Sequence, residues 1–177
     1  MNKQFPDHQS PLTGETITLR PLRSEDFEAL YAAASDPLIW EQHVESNRHH
    51  RHIFQKCFFA DALTSGCAYV VTENVSGRII GSSRYYDWDP VKQEVAIGYT
   101  FLVISHWGGA TNRELKILML DHAFRWAKVV WFHVSKSNGR SRKAIEKIGA
   151  RLSHEGHKVV GGIVMDYVFY KIEAPKP

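Results

Sequence analysis

His106-Trp107-Gly108-Gly109-Ala110-Thr111-Asn112 divides two runs of different periodicity. Residues 94–103 before it read as a long strand. Residues 112–128 after it read as a helix whose Leu115, Ile117, Leu118, Leu120, Phe124 and Trp126 cover much of its circumference, which predicts a largely buried element. Strand, paired glycines and helix start together make a physical recipe for an anion site. Gly108 and Gly109 lack a Cβ, so backbone N–H groups can approach a phosphate. The helix start adds unpaired N–H donors and the positive end of its dipole. A plain tight turn carries the same pattern. Neither G-x-x-x-x-G-K-[ST] nor a G-x-G-x-x-G in a leading βαβ unit occurs, so Walker-type and dinucleotide loops are poor readings.

Downstream of the loop, residues 129–134 form an apolar run of buried-strand length, and residues 138–148 read as a helix closed by Gly149. Strands near 151–155 and 164–172 finish the pattern. Upstream, residues 16–20 alternate as a strand stopped by Pro21, and Ser24 caps a helix to about Ser35 that Asp36-Pro37 ends. Residues 47–63 predict one helix, apolar at Ile53, Phe54, Cys57, Phe58 and Ala62. Residues 68–72 and 78–86 predict a hairpin around Gly77. The order β-α-α-β-β-β-α-β-α-β-β defines an α+β, or mixed α/β, domain over residues 13–172, with 1–12 and 173–177 as flexible tails.

The 177 residues suit one core, and a hydrophobic share of 44% with 23% charged residues is ordinary for a globular protein. A net charge of +3 favours an anionic ligand but falls short of the basic face of a dedicated nucleic-acid binder, so no nucleic acid is expected. Cys57 and Cys67 build neither a disulfide framework nor a zinc site. The polar start carries no signal-peptide core and no apolar run approaches a membrane span, so the expected setting is cytoplasmic, without a membrane. Arg48-His49-His50-Arg51-His52 places His49 and His52 at i,i+3, but no third ligand follows; a solvated basic face accounts for the run, and no metal is expected.

A second motif gives the loop its meaning. Asn138-Gly139-Arg140-Ser141, then Ala144-Ile145-Glu146-Lys147-Ile148-Gly149, lies one strand beyond the loop-led helix. Together with Ile97-Gly98-Tyr99 and Trp107 to Asn112, in this order and spacing, it resembles the GCN5-related N-acetyltransferase superfamily, near its ribosomal-protein N-terminal acetyltransferase branch. The resemblance covers roughly residues 12–171; Asn112, Glu114 and Lys116 also match a subgroup with Asn-x-Glu-x-Lys after the loop. It implies a mostly antiparallel sheet of about six or seven strands, flanked by about four helices, in which two central parallel strands splay into a V. It also implies acetyl-CoA as co-substrate. The pantetheine arm would pair with backbone near Phe101 and Leu102, and the pyrophosphate would sit on the amides of Gly108, Gly109, Ala110, Thr111 and Asn112. Trp107 completes that grip, and Asn138 and Ser141 face the thioester.

The sequence departs from the family at four places, one of them Ala150, which follows Gly149 where phenylalanine is usual. Ala110 and Asn112 stand where glycine or a small residue is usual, Asn112 being suited to a left-handed conformation or to capping the helix. Ile145 stands where many relatives carry a tyrosine general acid. The implied reaction is acetyl transfer to a primary amine of a small molecule or a peptide N-terminus. Glu94, on the strand before the loop, is the candidate base, with a solvated strand-end carboxylate as its plain reading; Ser141 or a water is the candidate acid. Trp40, Glu41 and His43 are read either as part of an amine pocket or as an apolar anchor with surface neighbours. Arg84, Tyr86 and the adjoining Tyr85, Asp87 and Asp89 are read as amine-attracting groups or as a hairpin end. A CoA-binding or sensor module of the same fold is the alternative that Ile145 suggests. A homodimer through the C-terminal strands fits the pattern.

Overall fold

In the computed structural model, which describes residues 5–175, eight strands form one sheet. In chain order the elements are β1 (Leu12–Thr13), β2 (Ile17–Pro21), α1 (Phe27–Ala34), α2 (Pro37–Trp40), α3 (Arg51–Phe54), α4 (Ala60–Ser65), β3 (Ala68–Glu73), β4 (Ile79–Asp89), β5 (Glu94–Leu102), α5 (Thr111–Ala123), β6 (Val129–Ser135), α6 (Gly139–Glu146), β7 (Arg151–Val160) and β8 (Ile163–Glu173). The spatial order is β1-β2-β3-β4-β5-β6-β8-β7. Every neighbouring pair is antiparallel except β5 and β6.

That parallel pair is the architectural key. β5 and β6 are joined at Glu94–Val129, Val95–Val130 and Ala96–Trp131, and then part. Beyond Ala96 the β6-facing edge of β5 has no ladder partner, so its backbone groups open onto a cleft. A β-bulge sets the direction of β5 there: Gly98 pairs with Arg84 and Phe101 with Ser82, leaving Tyr99 and Thr100 opposite Ser83. Tyr99 takes φ 52°, a left-handed conformation unusual for an aromatic residue.

Two apolar clusters cover the faces of the sheet. One packs α5 and α6 through Leu115, Met119, Leu120 and Ile145 onto Tyr85, Ile97, Val130 and Phe132; the other packs α1 to α4 through Leu30, Trp40, Phe54 and Phe58 onto Val70 and Phe101. At about 25 cal/mol per Å² of apolar surface removed from water, these faces supply the main drive for folding.

Several expectations change. Residues 5–12 are not a loose tail: Phe5 is buried, stacks on Tyr85 at 4.6 Å, and meets Trp88 edge-on. An apolar residue in a polar stretch carried too little pattern to reveal this. At the other terminus, β8 runs through Glu173 and Ala174 N–H donates to Lys128 C=O at 2.8 Å, so the chain stays tied through that point. Asp36-Pro37 starts a further short helix, with Asp36 accepting from Leu38 N–H at 2.9 Å and Pro37 at its first position. The single helix expected over 47–63 is a 3₁₀ turn, α3, a π-helical turn Gln55–Phe59 and α4. The wide turn lets the adjacent Phe58 and Phe59 both face the core. On α5 the buried face is Leu115, Lys116, Met119, Leu120, His122 and Ala123, while Ile117 and, beyond the helix, Trp126 are exposed. A count of apolar residues missed that a lysine and a histidine occupy inward positions.

Candidate active site

The cleft between β5 and β6 widens into a cavity of about 610 Å³. Its walls come from β5 (Ile97 to Leu102), β6 (Phe132 to Ser135), the loop before α5, the start of α6, and the segment around His43 to Arg48.

On the loop side, Trp107, Gly108 and Asn112 line the cavity. Gly108 has φ +70°, and a Cβ there would meet open space, so the glycine serves backbone conformation rather than fit. Ala110, with φ −74°, is the residue preceding α5, and no side chain caps that helix end. The start of α5 therefore keeps donors without an intrahelical partner beside the cavity. Asn112 is inside the helix and neither caps it nor adopts a left-handed conformation, which corrects that reading. Gly109, Ala110 and Thr111 are contiguous with this wall without lining it; Thr111 bonds His106 at 3.1 Å. Trp107 Nε1 donates to Leu102 C=O at 2.9 Å, and the Arg140 guanidinium lies 4.0 Å over the Trp107 ring.

Phe101 and Leu102 both line the cavity but differ in backbone direction. Val103 N–H donates to Ile80 C=O on β4, so by strand alternation Phe101 also faces β4 and Leu102 faces the cleft. Asn138 and Ser141 line the cavity as well, and Asn138 Oδ1 accepts from Ser141 N–H at 3.0 Å, capping α6. Ile145, buried on α6, contributes only an apolar wall.

A second cluster collects Glu45, Arg48, Tyr86, Tyr99, His133, Lys158 and Tyr167. Tyr86 meets Tyr99 and His133 edge-on at 5.3 and 5.5 Å. Gly98 is needed here, because a Cβ on it would come within 2.8 Å of the Tyr86 ring. Burial pushes His43 and His133 down to about 4, helped by Arg48 and Arg140 for His43 and by Lys158 for His133. Arg48 pairs with Glu45 and lies over Trp40 and Phe58, so it is buried rather than part of a solvated basic face. Burial and the β7–β8 register brought Arg48, Lys158 and Tyr167 to the cavity, which sequence reading missed because each lies far from the recognisable motifs.

Of the acceptor-side candidates, Tyr86 and His43 reach the cavity. Trp40 does not: it is 1% exposed, and its indole N–H donates to Ala34 C=O at 2.7 Å, making it a core anchor. Glu41 is exposed outside the cavity. Arg84 is buried behind the wall, 4.0 Å over the Tyr99 ring, and Tyr85 belongs to the core with its hydroxyl on Met119 C=O. Glu94 accepts from Trp131 Nε1 at 3.1 Å in an adjoining hollow with Asp87, Asp89 and His154; His133 lines both spaces. The structure thus does not bring Glu94 and Ser141 into one cavity. Among the described residues no cluster of three or more metal-ligating side chains occurs, and no helix is long and apolar enough to cross a membrane.

A bulged strand parting from a parallel neighbour lies beside a glycine loop that opens a helix. The sequence model of the acetyltransferase (GNAT) domain matches residues 16–151, and the chain belongs to that family of acyltransferases. The structure is similar to a GCN5-related N-acetyltransferase from Brucella melitensis, with TM-score 0.83 and 20% identity over 93% of this chain and 79% of that one. It is also similar to Mycobacterium smegmatis RimJ in complex with CoA-disulfide (TM-score 0.66, 21% identity, 89% and 82% coverage). A protein assigned as a ribosomal-protein-serine acetyltransferase from Vibrio cholerae aligns with TM-score 0.76 and 11% identity over 98% of this chain and all 100% of that one. No curated protein matches the chain in sequence.

Proposed function

We propose that the protein transfers an acetyl group from acetyl-CoA to a primary amine of a small molecule or a protein N-terminus. One observation carries the reading: the cleft opened by the parting of β5 and β6 is continuous with the wall formed by Trp107, Gly108, Asn112, Asn138 and Ser141. An extended acyl-pantetheine arm fits a strand edge that lacks a partner, and a pyrophosphate fits the uncapped start of α5. The N–H of Leu102, facing the cleft, is suited to the developing oxyanion.

The amine enters beside Tyr86, Tyr99 and His133. Its proton leaves toward the acidic hollow that holds Glu94, Asp87 and Asp89, reached past His133. His43 and His133, neutral at pH 7, add no charge that would repel a protonated amine. Release of CoA thiol, measured with a panel of small amines and of peptides with free N-termini, tests the reading. At least one acceptor releases thiol in proportion to acylated product, and Glu94→Gln slows that reaction about tenfold or more. Saturable acetyl-CoA binding with no acceptor turned over would contradict transfer, and unchanged turnover in Glu94→Gln would remove that carboxylate from the proton path.

A further inference from the structure

Lys116 is the most deeply buried cation among the described residues that line the cavity. It is 4% exposed, on the inward face of α5 between Leu115 and Met119, and lines the same space as Thr100, Phe132, Ser141 and Ile145. Its Nζ donates to Thr100 Oγ1 at 2.6 Å and lies 5.5 Å from the centre of the Phe132 ring. An ammonium carries three donors, and among the described residues this one has a single hydroxyl as its hydrogen-bond partner. No carboxylate among the described residues lies within ion-pair distance of it.

The other charged groups on the cavity wall are accounted for. Glu45, the only carboxylate among the described lining residues, is paired with Arg48; Arg140 is stacked on Trp107; Lys158 contacts His133. His43 and His133 are held neutral, and His106 faces Glu73. Arg84, behind the wall, is also buried but lies over the Tyr99 ring. Lys116 stands as a buried cation on this wall with no carboxylate in ion-pair distance among the described residues. Such a group is costly unless an anion forms beside it. Thioester cleavage forms one: the sulfur.

We propose that Lys116 is the proton donor to the departing CoA thiolate, an assignment that rests on the acetyl-transfer reading above. The acceptor nitrogen bonds to the acetyl carbon and gives up a proton, and the C–S bond breaks with its electron pair on sulfur. Sulfur takes a proton from Nζ, and the neutral amine of Lys116 regains one from solvent, matching the proton that the acceptor lost. Ile145, which lines the same cavity from α6, offers no proton, and an ammonium is a far stronger acid than the Ser141 hydroxyl. Burial favours release of the proton, since it disfavours the ammonium and pushes Lys116 down to about 7.

The test is an ultraviolet titration of the thiol of CoA bound to the wild-type protein, Lys116→Met and Lys116→Arg, with calorimetry on the same samples to establish that CoA is bound. Lys116→Met replaces a buried charge by an apolar chain of similar length and is expected to fold. The bound thiol is expected to ionise at least one pH unit lower in wild type than in Lys116→Met. Lys116→Arg keeps that shift but, holding its proton, loses turnover about tenfold or more, with the KM for acetyl-CoA little changed. CoA that binds but ionises alike in wild type and Lys116→Met would overturn the role of Lys116 and leave the acetyl-transfer reading intact. Failure of wild type to bind CoA would overturn both.

Discussion

On the Trp107–Asn112 side of the cavity, the wall is made of consecutive residues, a helix start and a neighbouring helix capped by Asn138. On the side of His43, Tyr86, His133 and Lys158, single side chains arrive from four separate segments. The first side works mainly through backbone: a positive φ at Gly108, free donors at the start of α5, and the edge of β5 left open when β6 departs. The second works through side-chain contacts such as Tyr86 with His133 and Lys158 with His133. A common donor suits a wall of backbone, and a particular acceptor suits a wall of exchangeable side chains.

The sharpest way to break this comparison is Gly108→Val. A β-branched residue resists φ near +70° at a place where nothing blocks its volume, so the loop must change shape. Acetyl-CoA affinity should fall by about tenfold or more, with the melting temperature little altered, as titration calorimetry and thermal melts will read. Next in size, Tyr86→Ala should raise the KM for the acceptor about tenfold while leaving that for acetyl-CoA within about twofold. Equal effects on both would merge the two sides.

Smaller still, Asn138→Ala removes the cap that accepts from Ser141 N–H and should cost about 1 kcal/mol in denaturant unfolding. It should also weaken acetyl-CoA binding modestly, because Ser141 N–H loses its partner. The gentlest test uses pH. His43 and His133 are pushed from 6.5 down to about 4, so below pH 6.5 the unfolded chain binds more protons than the folded one. Their contribution is complete above pH 6.5 and is lost as pH falls through 4. Melting temperature should drop across that window, and His43→Gln should flatten part of the drop.

The same contrast explains what could be read from sequence. The loop, the Asn138–Ser141 motif and the strand before them are short and local, so their element types and order were legible and the parting strands followed from the family resemblance. Asn112-x-Glu114-x-Lys116 was visible as a motif, but its division of labour was not. Asn112 lines the cavity, Glu114 accepts from Thr16 N–H at 2.9 Å to tie down the β1–β2 turn, and Lys116 turns inward. Trp40 and Arg84 looked like substrate residues because aromatic and charged side chains near a loop often are; their hydrogen bonding and stacking within the core depend on tertiary contacts that no local pattern encodes. Arg48, Lys158 and Tyr167 depend on how distant segments meet, which is also why they were missed.

In the proposed function, the backbone-built wall holds the acyl donor. Titration calorimetry of acetyl-CoA into wild type, Gly108→Val and Tyr86→Ala tests it most directly. Wild type is expected to bind at one site per chain, Gly108→Val to lose about tenfold or more in affinity, and Tyr86→Ala to bind nearly as wild type does. Undiminished binding in Gly108→Val together with loss in Tyr86→Ala would contradict it.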